Sequence, residues 1–193
     1  METPAIITDF EQSIQNFHLP RSAELPELDF YMDQVISIME KNLFLLSLDG
    51  SSKFITSSMI NNYVKLGIIP PPHKKRYTKE HICYLFMICT LKSIIPIPSI
   101  SEIIRRQTEK QPLFEVYDMF CEAYENMLKK AAEASREIIT GEELLEDGLV
   151  KLSLFMSISA GTTQLIAANT LKVIAPPSEE EDKKEKKEKK EKK

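Results

Sequence analysis

Asn61, Asn62 and Lys65 fall on one side of a short helical stretch, and three consecutive cations, Lys74, Lys75 and Arg76, follow soon after it. An asparagine amide can bond bidentately to N6 and N7 of adenine in the major groove. Lysine and arginine pair with phosphate oxygens without regard to sequence. These residue types therefore offer base reading beside backbone anchoring, which is the chemistry of duplex DNA recognition. Catalysis finds no comparable support. The chain has no Gly-rich phosphate loop, no Gly-x-Ser-x-Gly elbow and no His-Glu-x-x-His helix. Its densest carboxylate run, Glu142, Glu143, Glu146 and Asp147, reads as a solvated surface. His73, His81 and Cys83 stand at no diagnostic spacing, whereas structural zinc takes four suitably spaced ligands. No enzyme, metal or cofactor is expected.

The element that must present the asparagines runs from Ile55 to Pro70. At about 100° per residue, Met59, Ile60, Tyr63 and Val64 fall on one arc, and Ser58, Asn61, Asn62 and Lys65 on the opposite one. Thr56 or Ser57 can cap the first unpaired N–H groups, and Gly67 can take the left-handed conformation that ends the helix. Pro70, Pro71 and Pro72 then stiffen the approach to the cations.

The run from Ile55 to Arg106 resembles the DNA-binding domain of MerR-type transcriptional regulators. Tyr63, Gly67, Ile68 and Pro70 match the end of that family's recognition helix, and Arg76, Tyr77 and Thr78 match the end of its basic wing. Leu19-Pro20-Arg21, Leu25-Pro26, Tyr31 to Val35 and Met59 to Lys65 further resemble an uncharacterised bacterial family of MerR-like proteins. The resemblance implies an all-α fold: a winged helix-turn-helix domain with a short basic wing, then C-terminal helices that include a coiled-coil-like dimerisation helix. It implies a homodimeric regulator with duplex DNA as partner. The implied DNA-binding set is Ser57, Ser58, Asn61, Asn62, Lys65, Lys74, Lys75, Arg76 and Tyr77. Asn61 and Asn62 replace the usual Arg-Tyr, and the wing lacks the usual Asn-Gly turn. The effector region that follows the dimerisation helix in MerR-type proteins corresponds to Gly141 to Ala175, which has no cysteine cluster for metal sensing. The competing expectation is a protein-interaction module that keeps the helix-turn-helix fold without binding DNA.

Charge is segregated. Residues 1–50 hold 2 cations and 9 anions, and residues 51–110 hold 10 cations and 3 anions, so the proposed DNA-binding part is the basic part of an acidic chain. Cys83, Cys89 and Cys121 read as buried thiols in a reducing cytoplasm. Neither a secretory signal nor a membrane span is expected.

Four regions are expected. Residues 1–27 form a proline-punctuated arm, and residues 28–110 the helix-turn-helix domain. Within it, Leu28, Met32, Val35, Ile36, Met39 and Leu43 place a scaffold helix at Asp29 to about Leu46. Ser47 to Lys53 connects it to the recognition helix, and further helices span Lys79 to Ile94 and Ile100 to Arg106. Residues 111–177 form a helical dimerisation region whose seam is Leu113, Tyr117, Phe120, Tyr124 and Leu128. A last helical segment, about Leu144 to Leu171, has Gly141, Gly148 and Gly161 as possible breaks. Residues 178–193 are a Lys/Glu tract without apolar residues, expected to be disordered.

Overall fold

The computed structural model describes residues 12–46, 55–139 and 145–174. The connection Ser47 to Lys53, the start of the arm, Gly141 and the Lys/Glu tract lie outside them. The described residues are all-helical, and pairing between extended backbone is limited to two isolated bridges. The helices are α1 (Met32–Leu43), α2 (Ser57–Lys65), α3 (Lys79–Leu91), α4 (Ile97–Thr108), α5 (Leu113–Ile139) and α6 (Leu145–Ile174). Two compact units divide the chain, residues 1–152 and 153–193.

α1 begins where Gln34 Oε1 accepts the Tyr31 N–H at 2.8 Å, satisfying one of the donors that a helix start leaves unpaired. Val35, Met39 and Leu43, four residues apart, are its buried line. α3 is buried on nearly every side, with Ile82, Leu85, Phe86 and Ile88 fully enclosed. Each such side chain contributes about 1.5–3 kcal/mol. α3 packs chiefly on α5, where the Phe86 and Tyr117 rings lie 6.1 Å apart, and it also meets α1 and α4. α4 starts earlier than expected because Pro98 falls in its first turn, where a missing N–H leaves no helical bond unmade.

The residues expected to form a dimerisation seam on α5 pack in part within their own chain. Tyr117 is fully enclosed, and Leu113, Phe120 and Tyr124 pack against the core of their own chain, with Leu128 half-buried beyond them. Helical periodicity finds an apolar stripe without saying what covers it, and here the same chain does. Part of the cover is the arm. Tyr117 Oη donates to the Pro20 carbonyl at 2.7 Å, the Ser22 N–H and hydroxyl donate to Asp118 at 2.6 and 2.7 Å, and Arg21 grips Glu125 with two bonds of 2.7 and 2.8 Å. Glu125 Oε1 also accepts the Leu19 N–H at 2.8 Å. The arm is thus part of the first unit.

Neither Gly148 nor Gly161 breaks α6, which runs unbroken through both. By length and composition alone this helix is apolar enough to cross a membrane, and none of its most apolar stretch is buried.

Candidate functional site

α2 is built as an insulated helix with one fixed side. Thr56 Oγ1 accepts the Met59 N–H at 3.3 Å and caps the start. At the other end Gly67 has φ +69°, which turns the chain so that the Gly67 N–H reaches the Val64 carbonyl at 3.0 Å and the Ile68 N–H reaches that of Tyr63 at 2.9 Å. This is a Schellman closure, which satisfies carbonyls that the last turn leaves open. Ile60 and Tyr63 are buried, so the helix cannot roll. Ser57, Ser58, Asn61, Asn62 and Lys65 are all exposed. The two asparagines are neighbours on the solvent side, one turn before Lys65.

The basic segment after α2 is a tight turn. His73 and Arg76 form an isolated antiparallel bridge, the Arg76 N–H donating to the His73 carbonyl at 2.8 Å. Lys74 and Lys75 at its tip have φ +47° and +62°. Two positive φ values in succession are the requirement of a type I′ turn, normally met by Asn-Gly. Two lysines therefore hold a conformation disfavoured for residues with a Cβ, and both are exposed. Such strain is concentrated at functional sites often enough to mark this turn as a candidate.

The next two residues face inward. Arg76 is half-buried, its guanidinium carbon 3.7 Å from the centre of the Tyr31 ring, and Nη1 donates to the Asp29 carbonyl at 3.4 Å. It ties the turn to the start of α1. Tyr77 is buried, and its backbone pairs with Phe30 through bonds of 2.8 and 2.9 Å. Its ring meets His81 edge-on at 5.4 Å. Tyr77 is accordingly corrected from a surface-contact residue to a packing residue, because an aromatic next to the core gains more from burial than from exposure.

His81 fastens the turn to α3. Nδ1 accepts the Thr78 N–H at 3.0 Å, which places the ring proton on Nε2, 3.2 Å from the Pro70 carbonyl it donates to. Burial lowers its pKa, outweighing the Pro70 carbonyl that pulls it up. A neutral ring suits both bonds. Burial also pushes Cys83 up to about 12, and Cys89 and Cys121 up to about 11, so these thiols are poor nucleophiles. Among the described residues no group of three His, Cys, Asp or Glu side chains could hold a metal ion. Arg105 and Arg106 are both bonded to Glu102, whose carboxyl they hold down at about 2.

Sequence reading missed Tyr31 and His81 as supports of the turn, and Asp118 and Glu125 as anchors of the arm. The available signal for the last two was a pair of acids seven apart on the same stretch of α5 as Tyr117 and Cys121.

The class these features define is an all-helical domain that exposes a capped polar helix and a strained basic turn. The chain belongs to the family described as Domain of unknown function (DUF1836), which it matches over residues 20–126. That span takes in the arm from Pro20 and the part of α5 that clamps it. No curated protein and no solved structure matches the chain.

Proposed function

We propose that this protein is a sequence-specific DNA-binding transcriptional regulator of MerR-like type that binds duplex DNA as a homodimer. In this reading α1 and α2 are the helix-turn-helix, α2 enters the major groove, and the Lys74-Lys75 turn is a short wing on the phosphate backbone. The observation that carries it is α2 itself. A helix capped at both ends and pinned through Ile60 and Tyr63 offers solvent two adjacent amides and a lysine instead of a mixed charged surface. Asn61 and Asn62 supply base contacts, while Lys65, Lys74 and Lys75 neutralise phosphates.

The test is binding to an operator selected from random duplexes, at fixed salt. Asn61→Ala and Asn62→Ala leave the buried side of α2 untouched, so each should fold normally. The variant that removes a bidentate contact should lose about 1–3 kcal/mol and relax specificity at one position. If neither change alters affinity, α2 does not read bases. If no duplex binds in a salt-dependent manner, the protein-interaction reading replaces this one.

A further inference from the structure

Among the described residues, α6 carries a run of exposed large apolar side chains. Leu154, Phe155, Ile158, Leu165 and Ile166 are each at least half exposed. Leu154, Ile158, Gly161, Leu165 and Ala168 succeed one another in steps of four, three, four and three, which is the spacing of a helix-pairing seam. Lys151 and Lys172 bound this seam in the same phase, and no charged residue lies between them.

Gly161 stands at its centre. Glycine destabilises a helix interior relative to alanine, and nothing lies within 4 Å of where its Cβ would be. Among the described residues nothing therefore gives a steric reason for glycine there. A second helix crossing closely at that point does, since a missing side chain lets two backbones approach.

We infer that α6 pairs antiparallel with α6 of a second copy of this chain, the two helices crossing at Gly161. The pairing names the surface behind the homodimer proposed above and rests on that reading for its role on DNA. A specific interface removes about 800 Å² from each partner. At about 60–120 Å² for each buried aliphatic side chain, Leu154, Ile158 and Leu165 supply about 180–360 Å² of this, and Phe155 and Ile166 flank the seam on one side. Orientation follows from charge. Glu146, Asp147 and Lys151 leave the first two turns net negative and Lys172 leaves the last turns positive, so side-chain charge favours opposite ends together. Eight of the twenty residues between Lys151 and Lys172 are Ser, Thr, Asn or Gln, which suits a helix packed in water better than one facing lipid tails.

The full chain is examined without DNA, so that assembly is read apart from DNA binding. At tens of micromolar it should sediment at twice the 22.1 kDa chain mass, and Ile158→Glu with Leu165→Glu at one chain mass with an unchanged helical circular dichroism signal. Should that variant unfold, the geometry is read in otherwise native protein with a short thiol cross-linker, the native cysteines being buried. Gly161→Cys should link to itself. Leu154→Cys should not, because antiparallel crossing sets two such residues about 21 Å apart, whereas a mixture of Leu154→Cys and Ala168→Cys should link. A wild-type monomer, self-linking of Leu154→Cys, or flotation of the wild type with phosphatidylcholine vesicles would each overturn the pairing, the last in favour of a lipid-facing helix. A dimer that binds no duplex leaves the pairing standing and sinks the regulator reading alone.

Discussion

Lys74 and Lys75 trade stability for the position of their charges. Each occupies the left-handed region at a cost of about 1–2 kcal/mol that Asn-Gly would avoid. Replacing them, Lys74→Asn with Lys75→Gly, should raise the melting temperature while the slope of log affinity against log salt falls by about 2, two phosphate contacts being lost. A variant that is more stable with an unchanged slope would remove the turn from the DNA interface. Glu125 sets the opposite case, where charge is buried for the sake of structure. Burial alone would raise its carboxyl pKa, but the Arg21 bonds and the Leu19 N–H outweigh it and hold the value below the ordinary range. A carboxyl depressed in the folded state adds stability above its unfolded pKa and loses it as pH falls through the folded value. Arg21→Ala should therefore cost about 3 kcal/mol near neutral pH, by stranding a buried carboxylate, and the penalty should shrink in acid. Denaturant melts at neutral and acid pH check this; a penalty independent of pH would assign Arg21 a packing role.

At the level of elements, α2 shows how little sequence is needed to define a presenting helix and how much depends on its closure. Gly67 has open space where a Cβ would stand, so the cost of Gly67→Ala is confined to backbone conformation, about 1–2 kcal/mol. Gly67→Asn should cost less, since asparagine tolerates the left-handed region. Equal losses in thermal melts would mean that the closure is held by something other than φ. α5 makes the complementary point. Its stripe looks like a dimer seam in sequence, yet Tyr117 ends on the Pro20 carbonyl and Phe17 lies against Tyr124 with ring centres 6.2 Å apart. The arm occupies a surface that a partner would otherwise need.

For the whole molecule, a basic stretch between acidic ones limits the faces that can approach a polyanion. The first 50 residues carry 9 acids against 2 bases, and residues 51–110 reverse that balance. A two-fold dimer carrying one α2 per copy should protect a near-palindromic site whose half-sites are about one helical turn, or a whole multiple of it, apart. Footprinting on a selected operator reads this directly. A single protected half-site under conditions where the protein is dimeric would show that the dimer does not set the spacing.

Much of the first unit was legible in the residues alone. The all-helical class, the two ends of α2, its buried and exposed sides and the central place of α3 follow from periodicity, capping chemistry and one glycine, which are local rules. Tyr31 stacking on Arg76, His81 bridging Thr78 and Pro70, and Arg21 reaching Glu125 across more than a hundred residues were not legible, because no local pattern records which distant groups meet. Sequence determined which surfaces are apolar, polar or basic, since that depends on side-chain chemistry and helical period. Tertiary structure alone decided which apolar side chains among the described residues are enclosed and which, such as Leu154 and Ile158, stay exposed, because burial is a property of the packed chain and not of any segment within it.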